Sequence, residues 1–312
     1  MNIKVVGSLA HDRIMDFPGY FKDRILPDQI HSLNVSFMVD TLGERRGGTA
    51  GNVAYTLGLL GEHPEILASV GKDYQPQLKA LAAAGAVTSG VEIHTDVLSA
   101  SATIITDRAN NQITGFYEGA MKYETTAKLA HSKDILVVIA ASNPADMLRY
   151  AKECKENDIP YLVDPGQQVG LFSSDDLRTL IEGAAFCTLN DYEHSVVLKT
   201  LDITEAGLLA LVDVLVITYG GKGALIKRGD ALLHIPACTI ENLVDPTGAG
   251  DAFRAGFIKG CALKCSDKQM GQIASVAASF AIEVLGTQEH AFTIKQFQKR
   301  YIDNYGEVCP IE

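Results

Sequence analysis

The residues with the clearest chemical meaning lie in Asp245-Pro-Thr-Gly-Ala-Gly-Asp-Ala-Phe-Arg-Ala-Gly-Phe257, where a glycine-rich turn, a carboxylate and an apolar helical pattern follow one another. Gly248, Ala249 and Gly250 carry almost no side chain, so their N–H groups can converge on an anion with the positive end of a helix dipole behind them. Asp251 falls in the first turn of that helix. A carboxylate there does not bind phosphate, but it can take the proton of a hydroxyl nucleophile while adjacent amides hold the charge of a transferring group. The combination points to phosphoryl transfer. Its structural alternative is an N-capped helix after a tight turn, and the segment alone leaves both readings open.

Three other segments add to it. Gly47-Gly-Thr-Ala-Gly-Asn52 opens a helical pattern, Asn190-Asp-Tyr-Glu193 stands between a strand and a helix, and Thr218-Tyr-Gly-Gly-Lys-Gly223 follows an apolar strand. Thr218, Gly220 and Gly223 would let the backbone approach a nucleotide, although the order of a Walker A loop is absent. Asn190 and Glu193 read by themselves as an acidic helix N-terminus. Asp12, after the first strand, reads by itself as a turn residue. That strand ends in Gly7-Ser-Leu-Ala-His-Asp12 rather than Gly-x-Gly-x-x-Gly, which argues against a dinucleotide-dependent dehydrogenase. Arg254 lies one helical turn beyond Asp251, placed to pair with a carboxylate.

In order and spacing these four segments resemble the ribokinase-type (PfkB) carbohydrate and nucleoside kinases, over essentially all 312 residues. Within that family the chain is most similar to bacterial adenosine kinases, through Phe17-Pro-Gly-Tyr20, Leu26-Pro27, Ser36-Phe37, Asn190-Asp-Tyr-Glu193, Asp245-Pro-Thr-Gly and Gly286-Thr-Gln-Glu289. The resemblance implies ATP- and Mg²⁺-dependent phosphorylation of the 5′-hydroxyl of a nucleoside, adenosine first. It makes Asp251 the base and Gly248, Ala249 and Gly250 the anion hole. Asp12 would accept hydrogen bonds from sugar hydroxyls, with Gly48 and Asn52 on the opposite rim. Ser8, Ser36, Gln167, Gln168 and Phe116 match nucleoside-contacting positions, Phe116 either stacking on the base or packing in a lid. Asn190 would lie at the phosphates and Glu193 at a hydrated Mg²⁺, with Thr218, Gly220, Gly223 and Gly250 along the nucleotide.

The family also carries a K⁺ site, which the resemblance puts at Asp245, Thr247 and the Gly286-Thr287-Gln288 loop. Pro246 stands where many sugar kinases have a hydroxyl residue, and proline removes an N–H and fixes φ, so that cation geometry does not transfer intact. Arg45 and Arg46 either grip a sugar phosphate or brace the lid, and the surrounding nucleoside-kinase pattern favours the brace. A ribokinase-like sugar kinase is the alternative within the class. A non-catalytic nucleotide-binding regulator is the alternative outside it, opposed by the intact Asp251, Gly248 and Gly250.

The elements that must position these residues alternate short β-branched runs with amphipathic stretches, the signature of a mostly parallel sheet covered on both faces. Together with the resemblance this predicts a ribokinase-like three-layer α/β/α domain. Its large part spans about 1–11, 41–100 and 118–312, with a small β-sheet lid at about 12–40 and 101–117. Ser101 to Tyr117 reads as strand, Asn110-Asn111 turn and strand, and His31 to Val39 alternates as a strand does. Gly223 to Pro236 reads as a hairpin turning at Arg228-Gly-Asp230. Gly250–Cys261 and Lys268–Leu285 read as helices, the second with a small face at Ala274, Ala277, Ala278 and Ala281 suited to a close helix or a flat adenine ring.

A chain that is 47% hydrophobic supplies one large core, and a net charge of −11 excludes a sequence-independent nucleic-acid surface. Apolar runs such as Ile135 to Ala141 are far below the ~20 residues of a membrane helix. No signal-peptide pattern precedes the first strand, so the expected location is the cytoplasm and the expected partners are small molecules. The six cysteines are scattered, and reduced thiols are expected; Cys261 and Cys265 lie one turn apart without companions for a zinc site. The lid segments could pair across a two-fold axis as a homodimer, or have their edges covered in a monomer.

Overall fold

A computed structural model describes residues 1–26, 34–109, 111–129 and 134–312. The first half contains β1 (Asn2–Val6), β2 (Ala10–Asp16), β3 (Thr41–Gly47), α1 (Thr49–Leu59), β4 (Glu65–Gly71), α2 (Gln75–Ala83), β5 (Val91–His94), β6 (Ala100–Thr106), β7 (Gln112–Tyr117) and β8 (Ile135–Ile139). The second contains α3 (Pro144–Glu156), β9 (Tyr161–Val163), α4 (Ser174–Ile181), β10 (Ala184–Asn190), α5 (Asp191–Leu201), α6 (Glu205–Leu209) and β11 (Val212–Thr218). The hairpin strands β12 (Ala224–Arg228) and β13 (Ala231–Ile235) follow, then α7 (Ala249–Ala262), α8 (Asp267–Ala281) and α9 (Ile294–Tyr305).

Among the described residues the strands form two sheets. The large one has the order β13-β12-β11-β10-β9-β8-β1-β4-β5, parallel from β11 to β5 and antiparallel only at the expected hairpin. Its alternation sorts side chains to two helical layers. Leu136 and Val138 of β8 join a core with α1, α2, α7 and α8, while Ile135, Val137 and Ile139 join one with α3, α4, α5 and α6. The predicted three-layer α/β/α arrangement is thus what the chain adopts. Because β1 sits between β8 and β4, strand order reverses beside it, and the carboxyl ends there open a crevice of the kind where α/β sheets bind ligands.

The second sheet has the order β3-β2-β6-β7. It includes Thr41–Gly47, which the sequence reading assigned to the large part, because all seven residues pair antiparallel with β2 from Asp16 back to Ala10. The expected strand near His31 to Val39 is not seen: Asn34–Val39 has no regular structure, and residues 31–33, like Pro27 and Asn110, lie outside the described residues. Three strands of this sheet meet the large unit at one root. The Tyr74 hydroxyl lies 3.3 Å from both Ala10 O and Gly47 O, and Asp73 Oδ1 accepts from Ser99 N and Oγ at 2.8 Å each.

Helices α7 and α8 pack backbone against backbone, and α7 carries Asp251. A Cβ on Gly256 would stand 2.6 Å from Ala274 Cα and 2.8 Å from Ile273 O, so the small face of α8 is used at Ala274 against a neighbouring helix. No helix among the described residues is long and apolar enough to cross a membrane. Gly256→Ala must push these backbones apart and is expected to lower the unfolding free energy by about 1–3 kcal/mol in urea titrations. A midpoint equal to that of the parent chain would mean that the two helices are not in backbone contact.

Candidate active site

The glycine turn at the start of α7 is built by its neighbours. Gly248 is the N-cap residue with φ 79°, and a Cβ there would stand 2.8 Å from Thr287 Cγ2. Asp245 clasps two loops, accepting Thr247 N–H through Oδ1 at 2.9 Å and Gly286 N–H through Oδ2 at 3.0 Å. No side chain caps α7, and the acidic residue of its first turn is Asp251. Ala249 differs from its expected role, because its N–H is turned back to Pro246 O at 3.2 Å.

Asp251 is 7% exposed, and both carboxylate oxygens have donors. Asn52 Nδ2, from the first turn of α1, donates to Oδ2 at 2.7 Å, and Arg254 Nη2 donates to Oδ1 at 2.5 Å. Asn52 is fixed in turn, since Gln288 Nε2 donates to its Oδ1 at 2.9 Å and Thr287 Oγ1 lies 2.8 Å away. Arg254 also pairs with Asp164, which follows β9 and is 1% exposed. Burial pushes the Asp164 carboxyl up and Arg254 opposes that; burial likewise works against the charge on Arg254, but Asp164 and Asp251 more than restore it.

Asp12 comes from β2, opposite Arg45 of β3 and Ala102 of β6. Gly47 makes room for it, since a Cβ there would lie 2.3 Å from Asp12 Oδ2. Burial, then the charges of Asp251 and Asp245, push its carboxyl up to about 6. Gly48, with φ 90°, brings the start of α1 against the β1–β2 connection, where a Cβ would lie 2.5 Å from Ser8 O. Ser8 Oγ then accepts Thr49 N–H at 3.1 Å. Asp251, Asn52, Asp12, Gly48 and Ser8 are thereby gathered around the carboxyl end of β1.

Other expected residues lie farther along the crevice. Gln167 and Gln168 sit in a short 3-10 turn at Gly166–Leu171, two and three residues after the strand-end Asp164–Pro165 step. Asn190 and Glu193, at the end of β10, form a capping box for α5 with both bonds at 2.8 Å. Thr218 ends the neighbouring β11, and Gly223, with φ 90°, has no room for a Cβ, which would lie 2.0 Å from Ile235 O. Gly220 also has positive φ, 55°, but open space around it. Ser36 and Phe116 belong to the small-sheet side and are exposed, Phe116 at 54% on β7, where it lines an open hollow of about 480 Å³ with Tyr117, Glu118, Gly119 and Lys122. Arg46 braces, donating to Gln288 O at 2.7 Å and Glu289 Oε1 at 3.0 Å.

A model described as pfkB family carbohydrate kinase matches residues 19–293. The chain belongs to the PfkB family. It is therefore a phosphotransferase with an alcohol group as acceptor, of the nucleoside and carbohydrate kinase kind. The nucleoside kinase of Methanocaldococcus jannaschii is 32% identical over 260 residues, 82% of this chain and 85% of that protein. The ribokinase of Bacillus subtilis is 30% identical, covering 78% and 83%. A solved structure of Burkholderia thailandensis nucleoside kinase in complex with ADP-inosine is 36% identical with a TM-score of 0.85, covering 98% of this chain and 97% of that one.

For a PfkB chain, the sequence reading missed Asp164 and gave Arg254 no specific partner. The signal for Asp164 was present, an aspartate at the carboxyl end of an apolar strand, but nothing local tied it to a helix ninety residues later. Asn52→Ala removes a donor from Asp251 and strands the buried Gln288 amide, and is expected to cost about 1–3 kcal/mol of stability. Equilibrium unfolding checks this, and a loss below about 0.5 kcal/mol would show that the network does not brace the fold.

Proposed function

We propose that this enzyme transfers the γ-phosphoryl group of ATP to the 5′-hydroxyl of a purine nucleoside, with adenosine as the leading acceptor. The observation that carries the reading is the buried Asp251 carboxylate, held through both oxygens beside an uncapped, glycine-opened helix N-terminus. Its nucleoside-kinase relatives, one of them bound to ADP-inosine, support a nucleoside over a free sugar. Inosine is accordingly the direct competitor of adenosine.

Asp251 accepts the 5′-hydroxyl proton as the oxygen attacks the γ-phosphorus in line and ADP leaves. Amides of Gly248 and Gly250, backed by the α7 dipole, hold the charge that gathers on the transferring group. Asp12 and Gly48 orient the ribose, with Ser8, Ser36, Gln167, Gln168 and Phe116 around the rest of the nucleoside. Asn190, Thr218, Gly220 and Gly223 border ATP.

A hard cation suits the oxygen donors here. Glu193 would hold Mg²⁺ through water, its charge already acting on Asp164 and Arg254, and the ion when bound offsets phosphate charge. Asp245 and Thr247 would hold K⁺ with their remaining oxygen lone pairs, Asp245 having spent one on each of two amides.

The deciding assay is ADP release with adenosine, inosine, guanosine, cytidine, ribose and fructose 6-phosphate, run with and without Mg²⁺ and K⁺. Asp251→Asn is expected to lower kcat by at least about 100-fold while nucleoside binding persists. Turnover restricted to sugars would overturn the acceptor, and an active Asp251→Asn enzyme would overturn the base.

Asp12 gives a second expectation. Its ionised form accepts hydrogen bonds, prevails above about pH 6 and is lost as pH falls through that value. Nucleoside affinity measured by calorimetry should therefore weaken several-fold from pH 7 to pH 5, and Asp12→Asn should bind more weakly with a flat profile. The same pH dependence in both proteins would remove Asp12 from the acceptor site.

A further inference from the structure

Four acidic groups crowd the catalytic end of α7. Asp12 from β2 and Asp164 from the end of β9 each feel the charge of Asp251, Asp245 from the preceding loop acts on Asp12, and Glu193 from α5 acts on Asp164. With Asp251 they place several carboxylates around one helix N-terminus, where a counter-charge and fixed donors are called for. Among the described residues the cation in direct contact with Asp251 is Arg254.

Its geometry is that of a fork between two carboxylates. Arg254 Nη2 donates to Asp251 Oδ1 at 2.5 Å, and Nη1 pairs with Asp164 Oδ2. The first contact is one helical turn away on α7; the second reaches a different, fully buried element at the sheet. Gly250 leaves the path clear, because a Cβ there would stand 3.2 Å from Nη1, so that glycine makes space for the guanidinium as well as exposing an amide. With Asn52 on Oδ2, the carboxylate cannot rotate without losing a buried donor.

We propose that Arg254, anchored by Asp164, is a positioning residue for phosphoryl transfer that supplies the counter-charge of the Asp251 carboxylate and aims it at the acceptor hydroxyl. This rests on the reading of Asp251 as the base. A guanidinium is required rather than an ammonium, because only a planar fork grips both carboxylates at once.

The test is the pH dependence of single-turnover phosphoryl transfer from ATP–Mg²⁺, with whichever of adenosine and inosine reacts faster. Arg254→Gln is expected to slow transfer at pH 7 by about tenfold or more. Its acidic limb should move to higher pH, so the deficit narrows as pH rises. Arg254→Lys, which keeps the charge without the fork, should slow transfer with the limb near its original place. Asp164→Asn removes a like charge and should move the limb to lower pH. Opposite displacements in Arg254→Gln and Asp164→Asn are not produced by loosened packing, which thermal unfolding of each variant measures separately.

A parent-like rate and limb in Arg254→Gln would overturn the proposal. So would equal slowing in all three variants with the limb fixed. Asp251→Asn is run alongside: if it is inactive while Arg254→Gln is parent-like, only the positioning role falls, and if it is active, the base reading falls and takes this one with it.

Discussion

A carboxylate buried among other carboxylates is unstable as an anion unless donors and a counter-charge are built around it. Removing such a group from water costs several kcal/mol even after relaxation, and like charges add to that. Asp251 is buried near Asp12 and Asp164, and the contacts around it are explicable as the answer to that burial. Asn52 gives a donor to Oδ2 and Arg254 gives one to Oδ1, and each is fixed by a further partner, Gln288 for Asn52 and Asp164 for Arg254. The result is a carboxylate whose direction is set by α1, α7, the end of β9 and the Gly286–Glu289 loop together.

That convergence depends on close backbone approach. Gly48 lets α1 begin against the β1–β2 connection, Gly248 lets α7 begin against Thr287, and Gly256 seats α7 on α8. Each is a place where a methyl group would meet atoms inside 3 Å, so the glycines are structural requirements of the site before any amide is offered to an anion. The strand order supplies the rest, since reversing direction beside β1 leaves the carboxyl ends of β1, β8 and β9 facing one crevice.

The small sheet brings Asp12 to this cluster, two residues along β2 from the root where Tyr74 and Asp73 tie Ala10, Gly47 and Ser99 to the large unit. Its core is slight, and the residues of β7 are exposed along their whole length. Anchoring at the root holds Asp12 in register, while β7 at the outer edge stays exposed.

The sequence by itself determined the layers and the chemistry. Alternating β-branched runs and amphipathic stretches specify a parallel sheet covered on both faces, and the glycine turn followed by Asp251 specifies a carboxylate in the first turn of a helix, because both signals are local. It misplaced Thr41–Gly47, whose Glu-Arg-Arg run carries no apolar alternation and becomes a strand only by pairing with β2. Arg254 was legible as a partner one helical turn from Asp251, and tertiary structure alone brought Asn52 and Asp164 to that pair. Asn52 and Asp164 are far from α7 in the chain, and no spacing rule joins them to it; they meet because separate elements end at the same edge of one sheet, where a buried charge selects its partners by distance and not by sequence.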